Sequence, residues 1–210
     1  MEAGRKERPN MKEQIIFATG NQNKLKEIRM ILGDRCEVLS MKEAGIDADI
    51  VENGTTFEDN AVIKAQTIAK LSGKMALADD SGLVVDAMDG MPGIYSSRFM
   101  GEDTSYDIKN AAIIEKLEGL TGDERSARFV CAIAAAWPDG TLITCRGIME
   151  GRIAFESAGS NGFGYDPIFY LPEFGCTSAE LSPEDKNKIS HRGKAMRLMG
   201  RLLAAAEKSV

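Results

Sequence analysis

The stretch Gln14-Ile15-Ile16-Phe17-Ala18-Thr19-Gly20-Asn21-Gln22-Asn23-Lys24-Leu25, continued by Ile28, Ile31 and Leu32, decides the fold class. Its apolar start reads as a buried strand and the later apolar residues fall at helical spacing, so the chain opens strand, loop, helix. Phe57, Ala61, Val62, Ala65, Ile68 and Ala69 mark one face of a second helix that runs to about Ser72, where Gly73 stops it. Met75 to Ala78 then reads as a short buried strand. From Ser126 to Trp137, Phe129, Cys131, Ile133 and Ala135 alternate with Arg128, Val130 and Ala132, and Pro138-Asp139-Gly140 turns the chain into Thr141 to Ile148. That pattern predicts an antiparallel hairpin. Ala195, Leu198, Met199, Leu202, Leu203 and Ala206 form the core-facing stripe of a last helix. The whole predicts an α/β fold, a mixed β-sheet with helices and two lobes flanking a cleft.

The 210 residues show no repeat and no linker long enough to separate domains, so residues 11–210 are expected to form a single two-lobed domain. Residues 1–10 are polar, and Met11 offers a second start; they are expected to be a disordered leader or a start-site artefact. Lys and Arg total 26 against 32 for Asp and Glu, and the resulting charge of −6 argues against a general grip on nucleic acid or on an anionic membrane. The single histidine, His191, excludes His-rich zinc sites and His-pair relays. Cys36, Cys131, Cys145 and Cys176 are too far apart for metal or redox pairs and are expected to be reduced thiols. No run approaches the roughly 18 apolar residues of a membrane span, and no apolar signal core is seen, so a cytoplasmic protein is expected.

Five segments carry chemistry. Thr19-Gly20-Asn21-Gln22-Asn23-Lys24 lies between strand and helix, where loop amides, the helix dipole and a lysine suit an anion; without the G-x-x-x-x-G-K-[ST] pattern it is not a P-loop, and an ordinary Asn-rich turn reads about as well. Asp79-Asp80-Ser81-Gly82 is expected at a strand end, where two carboxylates suit magnesium and where Asp and Ser also favour a plain turn. Neighbours on a strand point oppositely, so one of the pair is expected to face the cleft. In Glu52-Asn53-Gly54-Thr55-Thr56-Phe57-Glu58-Asp59-Asn60, Thr55 or Thr56 reads as a helix cap, Glu58 and Asp59 as first-turn acids, and Glu52 as the candidate for a metal or water contact. Gly159 to Pro167 combines three glycines with Phe163, Tyr165 and Asp166, a loop that suits stacking on a base. Lys186 with His191 and Arg192 gathers cationic groups before the last helix, suited to a polyanion or an oxo-rich ring.

With these segments in order, the motifs ATGNQNK, ENGTTFEDNA, ADDSGL, GMPGIYSSRF, GFGYDPIF and ISHRGKA resemble the inosine triphosphate pyrophosphatase family, also called dITP/XTP pyrophosphatases. The resemblance runs from about Ile15 to the final helix. It implies an elongated mixed β-sheet flanked by helices, two lobes with a central substrate cleft, and a homodimer that uses magnesium to hydrolyse ITP, dITP or XTP to the monophosphate and pyrophosphate. It further implies that Thr19, Gly20, Asn21, Gln22, Asn23 and Lys24 cradle the triphosphate, and that Asp80 accepts a proton and binds the metal with Glu52. Ser81 would contact substrate, Phe163, Gly164, Tyr165 and Asp166 would hold the base, and Lys186, His191 and Arg192 would contact substrate from the far side. Where many members carry two consecutive acids, this chain has Val51-Glu52.

Elementary chemistry agrees with that expectation. Attack at the α-phosphorus needs an activated water, neutralised charge and a held leaving group. If Arg192 and His191, the latter taken as an exposed cleft residue, donate to a 6-oxo oxygen, a 6-amino purine leaves a donor unpaired at a cost of roughly 1–3 kcal/mol. Two rivals stay open: a nucleotide-binding module without chemistry, and an enzyme of the same reaction type acting on pyrimidine or modified nucleotides.

Overall fold

A computed structural model describes residues 14–32 and 36–207; the expectation for residues 1–10 lies outside them. Among the described residues seven strands form one mixed sheet in the order β2-β1-β3-β4-β5-β6-β7. They are β1 Gln14–Phe17, β2 Glu37–Ser40, β3 Ala76–Val85, β4 Ser126–Ala136, β5 Leu142–Ile153, β6 Phe169–Leu171 and β7 Cys176–Thr177. The α-helices of the described residues flank the sheet: α1 Gln22–Leu32, α2 Phe57–Ser72, α3 Tyr106–Lys116, α4 Pro183–Ile189 and α5 His191–Glu207. β1 is parallel to β2 and β3, while β3 to β7 run antiparallel in succession. The α/β class and the mixed sheet are thus as the sequence predicts, and the strands form one continuous sheet.

The pleat sorts side chains into two cores at this end of the sheet. Phe17, Leu77, Cys131, Ile133 and Ala135 pack under α1 and α5, while Ile16, Ala76, Ala78, Ala132 and Ala134 lie under α2. The alanines on the second face let α2 settle close to the strands. Ile68 on α2 and Ile28 on α1 are fully enclosed, each burial worth about 1.5–3 kcal/mol. A third cluster joins Leu83, Phe129, Met149 and Phe169 to Ile113 of α3 and to Leu117 at its C-cap. Thr56 caps α2 with Asp59 in a capping box, and Gly73 ends the helix in the left-handed region. α5 carries its stripe through Ala195, Met199 and Leu202, but Ala206 is exposed because the helix has passed the sheet by then.

One expectation fails usefully. The strand read as Met75 to Ala78 continues to Val85, so Asp79-Asp80-Ser81-Gly82 is mid-strand and not a strand-end turn. Turn propensity loses because β4 is long enough to pair every one of these residues, with Asp79 opposite Ile133 and Asp80 opposite Ala132. The end that matters belongs to β1. It pairs with β3 only through Ala76 and Leu77, and the chain then turns away after the Ala18 amide bonds to Leu77. Beyond that point β3 has lost its parallel neighbour, and the gap between them opens at the acidic pair.

Candidate active site

The pleat gives the two aspartates different surroundings. Asp79 Oδ2 lies 3.1 Å from Lys24 Nζ and 3.4 Å from Arg192 Nη2, and accepts from the Ser81 hydroxyl at 2.8 Å. Burial alone would raise its pKa, but Lys24, Arg192 and Lys64 outweigh that and hold it well below the usual carboxylate range. Asp80 faces the other way. Its Oδ2 accepts from Asn60 Nδ2 at 3.1 Å, and its Oδ1 accepts from the Ser81 amide at 3.0 Å with Lys64 Nζ at 3.8 Å. Here burial wins over Lys64, Lys24 and Asn60, and the carboxyl is pushed up from its ordinary value. One aspartate is neutralised; its neighbour is short of positive charge.

Lys64, on α2, also reaches Glu52 Oε2 at 3.0 Å and so joins the two acids singled out in the sequence. One ammonium against two carboxylates leaves this wall at 1 − 2 = −1. Hard oxygen donors with an unmet negative charge fit a divalent cation, which takes one or two carboxylates and completes its shell with water and phosphate oxygens. Across the gap, the β1–α1 loop is ordered by its own side chains. Asn21 Oδ1 accepts from the amides of Asn23 and Lys24, and Thr19 Oγ1 accepts from the Asn21 amide. Those amides are engaged in capping α1, so the Lys24 side chain, and not the loop backbone as a whole, is what this segment extends toward the acids.

The far wall is an ion network. Lys186 lies 2.9 Å from Glu27 and 2.6 Å from Asp166, and Arg192 pairs with Glu27 through Nη1 and with the Ser81 hydroxyl through Nη2 at 2.9 Å. Burial opposes the charge on Glu27, yet Arg192 and Lys186 hold its pKa below the ordinary value. The basic cluster read from the sequence is therefore already matched by acids, with Arg192 Nε left without a protein acceptor among the described residues. Asp166 accepts in addition from the Phe163 amide at 2.8 Å and the Ser178 hydroxyl at 3.0 Å, which fixes the loop carrying Phe163. Tyr165 donates its hydroxyl to Ser96 O at 2.7 Å and is buried.

His191 is not the exposed cleft residue the sequence predicts. His191 is 5% exposed and stacks on Phe129 with ring centroids 4.8 Å apart. Burial first, then the charges of Arg192 and Lys186, drive its pKa well below the ordinary value, so the imidazole is neutral at physiological pH. Gly147 places it. A Cβ there would stand 2.2 Å from His191 O and 2.6 Å from Ala195 N, so only glycine on β5 lets the start of α5 lie this close.

Around these walls lies a cavity of about 350 Å³. It is lined by Thr19, Gly20, Asn21, Lys24, Glu52, Asp80, Ser81, Phe163, Gly164, Tyr165, Asp166, Lys186, His191 and Arg192. Gln22 and Asn23, which open α1, do not line it. Lys64 is a lining residue that sequence reasoning missed; Glu27 and Asp79 stand behind the wall as partners of the lining cations. Lys64 falls on the helix turn after Asn60 and was hidden among ordinary helix lysines. Glu27 carried no signal, since its partners are 159 and 165 residues away.

The sequence pattern of the Ham1 family matches residues 15–202. A protein of Exiguobacterium sibiricum named dITP/XTP pyrophosphatase is 48% identical over 185 residues, covering 88% of this chain and 93% of its own. One of the same name from Bacillus subtilis is 45% identical over 93% of this chain and 98% of its own. The solved structure of a HAM1 protein from Coxiella burnetii superposes with a TM-score of 0.83 at 41% identity, covering 92% of this chain and 99% of that one. The Ham1 protein of Staphylococcus aureus gives the same score and identity over 92% of this chain and all of its own. With the match spanning the sheet, both walls of the cavity and the helices that carry them, this chain belongs to the Ham1 family.

Proposed function

We propose that this chain hydrolyses the nonstandard purine nucleoside triphosphates ITP, dITP and XTP to the monophosphate and pyrophosphate, clearing them from the nucleotide pool. The observation that carries this reading is the lining of one cavity, which brings the carboxylates Glu52 and Asp80 and the lysines Lys24 and Lys64 together with the Phe163 ring, neutral His191 and Arg192. The names of relatives 45–48% identical support it.

Lys24 and Lys64 draw the phosphates toward β3. Asp80 orients a water and takes its proton as the water oxygen bonds to the α-phosphorus and the bond from that phosphorus to the bridging oxygen breaks. Pyrophosphate leaves against the two lysines. Glu52 and Asp80 are the side chains that would hold magnesium, which when bound neutralises phosphate charge. At the base end Phe163 offers a ring face, while the imidazole of His191 and the free Nε of Arg192 are the polar groups for the purine edge. A 6-oxo oxygen satisfies a donor there; a 6-amino group does not. The protein acts as a homodimer in the cytoplasm, a compartment that suits the free thiols Cys131, Cys145 and Cys176.

The test is product analysis with ITP, XTP, ATP, GTP and CTP, with and without magnesium. IMP and pyrophosphate from ITP, with ATP turned over at least about tenfold more slowly, is the expected result. IDP and orthophosphate, or no turnover with any triphosphate, would overturn it.

A further inference from the structure

Asn60 has no part in the chemistry above, yet it is fully enclosed and both ends of its amide are spoken for. Its Oδ1 accepts from the Gly54 amide at 2.9 Å, and its Nδ2 donates to Asp80 Oδ2 at 3.1 Å. The orientation is forced. The Gly54 N–H can only donate, so the oxygen must face it and the NH₂ must face Asp80. The approach is close enough that a Cβ on Gly54 would stand 2.7 Å from Asn60 Oδ1 and 2.5 Å from Asp59 Cβ, which glycine alone permits.

This one side chain therefore ties two separate segments of the site to the first turn of α2. Gly54 lies two residues beyond Glu52, and Asp80 lies on β3. The capping box of Thr56 and Asp59 makes the anchor rigid, because it fixes the helix start from which Asn60 projects. Asp80 can rotate about its Cα–Cβ and Cβ–Cγ bonds unless something holds it. The Ser81 amide grips Oδ1 and Asn60 grips Oδ2, so the plane of the carboxylate is set by two donors on opposite oxygens.

We propose that Asn60 is a positioning residue for the hydrolytic reaction: it fixes the carboxylate plane of Asp80 and, through the Gly54 amide, holds the Glu52 segment at a set distance from it. The inference rests on the reading of Asp80 as the group that orients water. A positioning residue of this kind touches no part of the nucleotide, so its loss acts on the chemical step and spares binding.

The experiment compares Asn60→Ala and Asn60→Ser with wild type, using ITP and magnesium for kcat and KM, calorimetric titration of ITP without turnover, and circular dichroism for folding. For the alanine variant kcat is expected to fall by about a hundredfold while KM and the ITP dissociation constant stay within about threefold. The serine variant keeps a hydroxyl for one of the two partners and is expected to recover part of kcat with KM unchanged. If the alanine variant does not fold, the serine variant carries the same comparison. A folded variant with kcat within about threefold of wild type, or one whose loss lies in KM and nucleotide binding, overturns the proposal. Wild type that releases no pyrophosphate from ITP brings down the functional reading itself, and the Asn60 proposal with it.

Discussion

Replacing Glu27 with Gln isolates the ion network that joins α1 to α4 and α5. Glu27 holds Lys186 at 2.9 Å and pairs with Arg192, and both cations are nearly enclosed. Removing one partner of a buried ion pair costs about 3–5 kcal/mol, since a charge is left in a poor environment. Here each cation keeps a second acid, Asp166 at 2.6 Å from Lys186 and Asp79 at the longer 3.4 Å from Arg192, and Gln still offers a carbonyl. The expected cost is therefore lower, about 2–3 kcal/mol, which lowers Tm by about 4–12 °C in a domain of this size. The sign with pH is fixed by the direction of the shift. The folded pKa of Glu27 lies below its ordinary 4.5, so its stabilisation is complete above that value and is lost as pH falls through the folded one. Thermal unfolding followed by circular dichroism should show a constant gap between wild type and Glu27→Gln from about pH 8 to pH 5, narrowing below pH 4.5. A gap under about 2 °C at neutral pH, or one that widens on acidification, would refute the argument.

Other expectations follow from neighbouring groups. Asp80→Asn should cut ITP turnover by about a thousandfold while keeping nucleotide binding, and its Tm at pH 7 should equal or exceed wild type. The reason is that a folded-state pKa raised by burial means the ionised carboxylate opposes folding at any pH above it; a clear fall in Tm would contradict this. His191 must remain neutral to stay buried, so its contribution to stability is complete above 6.5 and is lost as pH falls below that value. Urea midpoints of wild type should drop more than those of His191→Gln between pH 7.5 and about pH 5.5, and parallel curves would count against it. Gly147→Ala forces a methyl onto the backbone of α5 and should cost about 1–3 kcal/mol while raising KM for ITP; a variant with both unchanged would show that α5 yields there.

The α1 and α2 patterns, the β4–β5 hairpin and the stripe of α5 were legible because each is a local periodicity backed by a cap or a turn. The extent of β3 was not, since Asp-Asp-Ser-Gly has turn propensity and only the long partner strand keeps it extended. At the site, residues within motifs could be named from sequence, but their electrostatic state could not. Lys186 and Arg192 look like free cations until Glu27, Asp79 and Asp166 are seen against them. Asn60 falls inside the stretch Glu52 to Asn60, yet nothing in its spacing says that its amide reaches a carboxylate 20 residues away.

The division of labour between Asp79 and Asp80 depends on register alone. Two identical side chains acquire opposite roles because a strand turns successive residues to opposite faces, so a slip of one position against β4 would turn each to the wrong face. With Asp80 carried into the place of Asp79, it would be buried against Lys24 and Arg192, and Asp79 would stand where Ala78 packs under α2. Ten paired residues, from Ala76 opposite Ala136 to Val85 opposite Ala127, stand against that slip. The long hairpin partner thus does more than complete a sheet: it is the ruler against which the reactive carboxylate is counted off from its neighbour.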